Sequence, residues 1–256
     1  MGACAMAGLA DIVGYTDKLL DCSAYRDACP NGLQVEGKSQ VQHIVSGVTA
    51  SQALLDAAVA SGADAILVHH GYFWRGESPR LVGMKRRRLA TLLHNDISLL
   101  AYHLPLDCHS LLGNNVQLAN ELQIDLDAPT IQDSVPPLVR TATLHRDWSG
   151  AEWARHVTEV LGRAPLHIDA ARPIRSIALC TGAAQGEIDV AIAASVDAYL
   201  SGEVSEQTVH SARENGIHYF AAGHHATERF GVKALGAHLA EKFSIGHEFI
   251  DCDNPV

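Results

Sequence analysis

Residues 65–71 read Ala65-Ile66-Leu67-Val68-His69-His70-Gly71, and this stretch carries the strongest structural signal in the chain. The apolar run predicts a buried strand that leads directly into two histidines and a glycine. Neighbouring side chains of a strand point to opposite faces, but a chain that breaks at Gly71 lets both imidazoles reach one cavity. The pattern is typical of a metal site at a strand end, with one imidazole for each of two ions.

Strand-like and helix-like segments alternate on both sides of this stretch. Apolar runs predict strands over 44–48 and 97–102, with a helix over 51–60 that Thr49 or Ser51 caps and Gly62 ends. Such alternation predicts a parallel sheet with crossover helices, whose ligands bind beyond the carboxyl ends of the strands. The fold class is therefore α/β.

The second half of the chain repeats this alternation. It has predicted strands over 176–181, 198–201 and 217–222, a long helix over 226–243 and a last strand near Phe249. Prolines punctuate the middle of the chain around one helix over 151–161. We predict a two-lobed mixed α/β subunit with an N-terminal lobe over 1–126, a connecting segment over 127–175 and a C-terminal lobe over 176–256. The two lobes look like variations on one plan, although the sequence has no repeat of fixed period.

Composition limits the class of protein. The chain has 256 residues, 47% of them hydrophobic, and a formal net charge of −10, which opposes general nucleic-acid binding. No apolar run approaches eighteen residues, and the start of the chain lacks the basic region of a secretory signal. Six dispersed cysteines form no C-x-x-C pair. These features predict a cytoplasmic protein without a membrane span, a zinc ribbon or a disulfide scaffold.

One basic run, Lys85-Arg86-Arg87-Arg88, opens a predicted helix over 84–95. It is either a solvated helix face or an anion-binding patch near a substrate channel, and the sequence does not choose between them. A nucleic-acid-processing role would rest on this run alone.

Residue types that commonly bind metals also follow two more predicted strands. His103-Leu104-Pro105-Leu106-Asp107 follows one predicted strand, and Gly223-His224-His225-Ala226-Thr227-Glu228 follows another. If a helix begins at the second motif, His224 and Glu228 share one face because they are four residues apart.

The predicted ligands are three imidazoles and two carboxylates: His69, His70, Asp107, His224 and Glu228. This set exceeds the needs of one catalytic zinc, so we predict two divalent ions. Mixed imidazole and carboxylate ligands suit Zn²⁺, Mn²⁺, Fe²⁺ or Ni²⁺. Two ions and two carboxylates leave about two positive charges, which favours a small anionic substrate such as a phosphate ester or nucleotide.

Other polar residues near these motifs have two interpretations each. His103 either hydrogen-bonds a ligand or transfers a proton, or it is a structural histidine at a strand end. Glu203 either faces the metals as an acid or base, or interacts with a helix macrodipole. We expect His225 to line the pocket. The segment Thr181-Gly182-Ala183-Ala184-Gln185-Gly186 lacks the lysine and spacing of a P-loop.

Three further motifs stand in order with those above: Asn31-Gly32-Leu33-Gln34, Gly113-Asn114-Asn115 and Ser201-Gly202-Glu203. This ordered set resembles the GTP cyclohydrolase I type 2 homologue family, the Nif-three-like group, and its bacterial YbgI-like branch in particular. The resemblance implies a dinuclear metal centre between two lobes and a toroidal homohexamer. The family's ligands fall on the same five residues, while His225 stands where many relatives have tyrosine.

The resulting functional hypothesis is a cytoplasmic dinuclear-metal hydrolase that acts on a small anionic molecule, with cyclohydrolase-type opening of a guanine nucleotide as the named reaction. The alternative is a non-enzymatic, ring-shaped metal-binding protein for metal storage, metal delivery or scaffolding. Five ligands shared by two ions leave open coordination positions, which favours the enzyme.

Overall fold

The computed structural model describes residues 6–128 and 137–256, which form two compact α/β units. The first unit comprises Met1–Leu112 and Val232–Asp253, and the second comprises Gly113–Gly231 and Asn254–Val256. The predicted α/β class is therefore confirmed. Within the described ranges, no helix combines the length and the apolar character needed to span a bilayer.

The described part of the chain up to Cys108 contains six strands and four α-helices. They are β1 (Ala7–Gly8), α1 (Leu9–Leu19), β2 (Gly32–Val35), β3 (Gln40–Val41), β4 (His43–Thr49), α2 (Gln52–Ala60), β5 (Ala65–His70), α3 (Gly83–His94), β6 (Ser98–Ala101) and α4 (Leu104–Cys108).

The remaining elements follow in chain order. They are α5 (Asn114–Glu121), β7 (Arg140–Trp148), α6 (Gly150–Leu161), β8 (Leu166–Ile168), β9 (Ile174–Leu179), α7 (Ile188–Ala193), β10 (Ala198–Ser201), α8 (Glu206–Asn215), β11 (His218–Ala221), α9 (His224–Thr227), α10 (Arg229–Phe243) and β12 (Gly246–Phe249). The strands and helices predicted from the alternation are present, except that the long helix predicted over 226–243 is divided at Glu228 into α9 and α10.

The main sheet of the first unit has the strand order β12-β4-β5-β6-β2. All neighbouring pairs are parallel except β2 with β6. Strand β5 lies at the centre, and its apolar residues 65–68 are almost completely buried because hydrophobic clusters cover both faces of the sheet. Ser51 caps α2 by accepting a hydrogen bond from the Leu54 N–H, and Gly62 follows the helix with a φ of 70°.

The sheet of the second unit has the order β7-β9-β10-β11-β8. Its three central strands are parallel and its two edge strands are antiparallel. Helix α6 begins with a capping box between Ser149 and Glu152, and it buries Trp153 completely against the sheet.

The two units divide the chain differently from the sequence-based boundaries at 126 and 175. Residues 140–168 form β7, α6 and β8 of the second unit, and Pro165 and Pro173 lie in loops between elements. Strand β12 returns to pair with β4, a contact between distant residues that no local pattern signals. Pro129 and Pro136, and the amino-terminal residues 1–5 considered for a signal sequence, lie outside the described residues.

Candidate metal centre

The two histidines at the end of β5 lie beside a third histidine. The ring centroids of His69 and His70 are 4.6 Å apart, and the ring of His103 lies 5.0 Å from His69 and 5.8 Å from His70. Each of the three rings offers a nitrogen, and these nitrogens lie within 4.8 Å of one another. The end of β5 therefore brings both imidazoles into one cluster, as the sequence predicted.

Asp107 joins this cluster through the short helix α4. The helix places Asp107 Oδ1 3.4 Å from His69 Nε2, and both residues are buried. The Asp107 N–H donates to the carbonyl of His103, so the two polar residues of this motif are held on one turn. The first unit thus brings together His69, His70 and Asp107, with His103 among them.

Hydrogen bonds at Nδ1 orient two predicted ligand histidines of the first unit, His69 and His70. His69 Nδ1 lies 2.8 Å from the carbonyl oxygen of Tyr102, which can only accept, so the proton is on Nδ1 and the lone pair is on Nε2. His70 Nδ1 lies 3.2 Å from Thr49 Oγ1. Metal-binding histidines are usually held in this way, with one ring nitrogen bonded to a fixed partner.

His103 is oriented by a residue that the sequence did not single out. Its Nδ1 lies 2.7 Å from Asp27 Oδ1, and Asp27 also accepts hydrogen bonds from Asn31 and from the Leu104 N–H. Burial raises the pKa of Asp27, but the hydrogen bonds from His103, Asn31 and Leu104 outweigh burial and hold that pKa well below its usual range. Asp27 is therefore a carboxylate that holds the His103 Nδ1–H.

The motif Asn31-Gly32-Leu33-Gln34 fixes the loops that follow β5 and β6. Asn31 Oδ1 accepts the backbone N–H of His103 at 2.7 Å. Gln34 accepts from the Tyr72 N–H at 2.7 Å and donates to the Tyr72 carbonyl at 3.1 Å. Because a Cβ at Gly71 would overlap the Gln34 side chain, the residue after His70 must be small.

The second unit holds the other two predicted ligands. His224 begins α9, Glu228 directly follows this helix, and His224 Nε2 lies 3.2 Å from Glu228 Oε2. The prediction that residues four apart share one face is confirmed. On the other side of the ring, His224 Nδ1 lies 2.6 Å from Glu203 Oε1.

The surroundings of His224 favour a positive charge. Burial lowers the pKa of this imidazole, but the hydrogen bonds and charges of Glu228 and Glu203 outweigh burial and raise the pKa of His224 to about 9. A divalent cation would find the same two carboxylates beside one imidazole. The donor atoms of this set therefore fit a metal ion.

Gly182 makes room for Glu228. A Cβ at this position would overlap Glu228 Oε1, and Gly182 has a φ of 69°, which side chains rarely adopt. Its N–H donates to Thr227 Oγ1 at 3.0 Å. The segment 181–186, which lacks the lysine and spacing of a P-loop, thus contributes a glycine that lets the Glu228 carboxylate lie beside His224.

The structure also shows the surroundings of Glu203, His225 and the basic run, whose roles the sequence left open. Helix α8 begins at Glu206 with Ser205 as its cap, so Glu203 contacts His224 instead of the helix start. His225 is buried and its N–H donates to the Val256 carbonyl, while its predicted pocket-lining role stays a prediction. Lys85 pairs with Glu77 at 3.2 Å, and Arg86 and Arg87 are exposed, as on a solvated helix face.

Each unit therefore holds one set of donor atoms at the carboxyl ends of its parallel strands, and the molecule belongs to the class of α/β proteins with candidate metal-binding clusters. The grouping of all five ligands around one pair of ions stays a prediction.

The family model described as Duf34/NIF3 (NGG1p interacting factor 3) matches residues 7–255. The chain belongs to this family, which confirms the resemblance found in its motifs.

Similar proteins cover nearly the whole chain. A protein of Pseudomonas aeruginosa named GTP cyclohydrolase 1 type 2 homolog is 63% identical over 248 residues, covering 97% of this chain and 98% of that protein. An Escherichia coli K12 protein of the same name is 54% identical over 239 residues, covering 93% of this chain and 95% of that protein.

Solved structures share the fold. The structure described as "protein ybgI, unknown function" has 51% identity and a TM-score of 0.93, covering 98% of this chain and all of that one. The crystal structure of TTHA1606 from Thermus thermophilus has 33% identity and a TM-score of 0.84 with the same coverage.

Proposed function

We propose that this chain is a dinuclear divalent-metal hydrolase that acts on a small anionic substrate, and that ring opening of GTP is the reaction to test first. The observation that carries the proposal is an arrangement found twice. In His69 and in His224, Nδ1 is held by a fixed oxygen while Nε2 lies 3.4 or 3.2 Å from the carboxylate of another predicted ligand. An imidazole oriented in this way beside a carboxylate is the usual ligand arrangement of metalloenzymes.

The five ligands His69, His70, Asp107, His224 and Glu228 would hold two ions drawn from Zn²⁺, Mn²⁺, Fe²⁺ and Ni²⁺. When bound, such ions act as Lewis acids and favour anionic substrates. The curated relatives carry the name of a GTP cyclohydrolase homologue, which supports including guanine nucleotides among the substrates tested.

The proposed role of His103 is to hold and move a proton at Nε2. Its Nδ1–H is held by the Asp27 carboxylate, which stabilises the imidazolium that forms when Nε2 takes up a proton. The side chain of His103 is 20% exposed, so a substrate can reach it, whereas the Asp27 side chain is only 3% exposed. Glu203 is a positioning residue in this proposal, because its carboxylate holds His224 Nδ1.

The first experiment measures the metal content of protein purified without chelator and screens the same sample for turnover of GTP, other nucleotides, phosphate esters and cyclic amides. We expect about two ions per chain, because five ligands exceed the needs of one ion. Asp107→Asn should lose metal and turnover together. Asp125→Asn is the matched control, because that carboxylate is exposed and pairs with an exposed histidine, His145.

A second pair of variants tests His103 separately from metal binding. His103→Gln should keep its metal content and lose about 10²- to 10⁴-fold in turnover, the usual contribution of a positioned acid or base. His145→Gln removes the exposed histidine of a His–Asp pair and should leave turnover unchanged. Full turnover in His103→Gln would exclude the proton-transfer role.

The remaining outcomes separate the proposal from its alternative. Two ions without turnover of any substrate class would favour the metal-binding ring protein. Absence of metal after growth and purification under metal-replete conditions would overturn both.

The proposal includes a cytoplasmic homohexamer of toroidal shape, as the family resemblance implies. The five cysteines in the described part of the chain are free thiols, which supports a reducing compartment. Light scattering should give six times the 27.4 kDa mass of the chain, and a smaller mass would contradict the hexamer.

A further inference from the structure

We propose that His167, Asp169 and His218 form a further metal-ion site in the second unit, built from residues outside the five ligands above. Zn²⁺ is the ion that suits two imidazoles and one carboxylate in tetrahedral geometry. This site would be separate from the proposed hydrolase function and does not depend on it.

The three donor atoms have the spacing of a tetrahedral site. His167 Nε2 lies 3.1 Å from His218 Nδ1, Asp169 Oδ1 lies 3.3 Å from His218 Nδ1, and Asp169 Oδ1 lies 4.0 Å from His167 Nε2. Ligands about 2.1 Å from a tetrahedral zinc are roughly 3.4 Å from one another. Small side-chain adjustments would bring all three atoms to that distance.

The backbone around His218 assigns its donor atom. His218 Nε2 lies 2.7 Å from the carbonyl oxygen of Arg172, so its proton is on Nε2. The lone pair is then on Nδ1, towards which the Ala170 N–H also points at 3.3 Å. A carbonyl that holds the second nitrogen of a histidine is the usual support of a metal ligand.

This assignment brings two hydrogen-bond acceptors together. The lone pair of His218 Nδ1 and the Asp169 carboxylate face each other at 3.3 Å, an arrangement that is repulsive unless a cation or a proton lies between them. A hydrogen bond between the two histidines accounts for the 3.1 Å distance, and the Ala171 N–H donates to Asp169 Oδ1 at 3.2 Å, which holds the carboxylate beside both rings. A metal ion bound by all three donor atoms would replace this repulsion with attraction.

The two rings are fixed in place before any ion arrives. His167 stacks on Phe220 with ring centroids 4.3 Å apart and planes within 8° of parallel, and His218 is completely buried. A Cβ at Gly150 would come within 2.9 Å of the His218 ring and would also overlap the His167 ring. Only glycine at the start of α6 leaves space for this pair, so the donor atoms are preorganised.

An ion can reach the cluster from solvent. The Asp169 side chain is 65% exposed, and it lines a surface cavity of about 470 Å³ together with Gly150 and Arg172. A water molecule or an anion in that cavity would supply the fourth ligand of a tetrahedral zinc.

The test uses the full chain, stripped with chelator and then titrated with Zn²⁺ alone, and compares the wild type with Asp169→Asn and His167→Gln. The exposed His145→Gln is the matched control. We expect both site variants to bind one Zn²⁺ fewer per chain, or to bind it at least about tenfold more weakly, because even the loss of a residue that only supports a metal ligand costs about 10- to 100-fold in affinity. Circular dichroism should show that both variants fold, because Asp169 is exposed and His167 lies at a sheet edge.

Anomalous diffraction from crystals grown with Zn²⁺ gives a second readout that identifies the site by position. The proposal requires a zinc peak within bonding distance of His167 Nε2, His218 Nδ1 and Asp169 Oδ1, absent in Asp169→Asn. No peak there in zinc-replete wild-type crystals, or unchanged zinc binding in both variants, would show that hydrogen bonds alone hold the cluster and would overturn the proposal.

Discussion

The two units share a backbone plan and differ in the chemistry that they place on it. The first contains the series β4-α2-β5-α3-β6 and the second the series β9-α7-β10-α8-β11, each with three parallel strands. An aspartate precedes the middle strand of each series. Asp64 accepts hydrogen bonds from the N–H groups of Gln42 and His43 at the start of β4, and Asp197 does the same for Arg175 and Ser176 at the start of β9.

The two aspartates also match in their surroundings. Asp64 pairs with Lys38 and Asp197 pairs with Arg172, and the two carboxylates are 13% and 12% exposed. The sequence showed no repeat of fixed period, but the structure shows the same contact in both units. The aspartate before the second parallel strand accepts hydrogen bonds from two N–H groups at the start of the first, and we call this contact the clasp.

The strand ends of the two units carry different donor sets. The first unit offers the clustered imidazoles of His69, His70 and His103, whose partners include a carbonyl and a hydroxyl. The second offers one imidazole, His224, between the carboxylates of Glu203 and Glu228. The first unit thus places three imidazoles beside one predicted carboxylate ligand, Asp107, whereas the second places one imidazole between two carboxylates, so equivalent substitutions should have unequal effects.

The largest effect should come from Gly182→Ala in the second unit. The new Cβ would overlap the Glu228 carboxylate and would force alanine into a left-handed conformation that costs about 1–2 kcal/mol by itself. We expect Glu228 to be displaced, metal bound by the second donor set to be lost and the free energy of unfolding to fall by about 2 kcal/mol or more. Metal analysis and urea unfolding measure these effects.

Gly186→Ala is the control for this substitution, since a Cβ there meets nothing within 4 Å. Equal metal content and equal free energy of unfolding in both glycine variants would show that the close approach of Gly182 to Glu228 affects neither metal binding nor stability.

The second prediction concerns the partner of His224. Glu203→Gln removes the negative charge that holds Nδ1, and we expect metal affinity to fall about 10- to 100-fold, the usual effect of losing such a partner. Titration calorimetry with Zn²⁺ measures the change. Glu206→Gln removes an exposed glutamate that pairs with His210 and should leave affinity unchanged.

The third prediction uses pH to test the clasp of the first unit. Burial raises the pKa of Asp64, but the hydrogen bonds from Lys38, Gln42 and His43 outweigh burial and lower it. Its folded-state pKa is thus below the unfolded value of about 3.9, so the stabilisation is complete above that value and is lost as the pH falls through the folded-state pKa.

Asp64→Asn should therefore unfold about 1–2 kcal/mol more easily than the wild type at pH 6, and the difference should shrink towards pH 3. Urea unfolding at both pH values measures it. Asp56→Asn, which removes an exposed carboxylate on α2, should match the wild type at both. A constant difference between Asp64→Asn and the wild type would contradict the charge-dependent clasp.

The smallest effect should come from Thr49→Val in the first unit. This change removes a neutral hydroxyl 3.2 Å from His70 Nδ1, and a neutral hydrogen bond contributes about 0.5–1 kcal/mol, or roughly two- to fivefold in metal affinity. The same calorimetric titration applies. A loss as large as that in Glu203→Gln would show that the charge of the Nδ1 partner does not distinguish His70 from His224.

Local patterns were sufficient to predict much of this structure. The apolar run before His69 and the four-residue spacing of His224 and Glu228 are short-range signals, and both gave the arrangement observed. Asp27 could not be found in this way, because it meets His103 across 76 residues of sequence. The role of Gly182 was equally hidden, since it depends on the approach of Glu228 from a different element.

The pairing of β12 with β4 has a consequence for how the chain is made. His43 and Gly246 are register partners, so synthesis must continue for about 200 residues before the outer edge of β4 is covered. At about 5–20 residues per second, this interval is roughly 10–40 s. Throughout it, the nascent first unit presents an unpaired strand edge while the whole of Gly113–Gly231 is translated. We expect newly made chains to be most prone to aggregation, and most dependent on chaperones, during this interval on the ribosome.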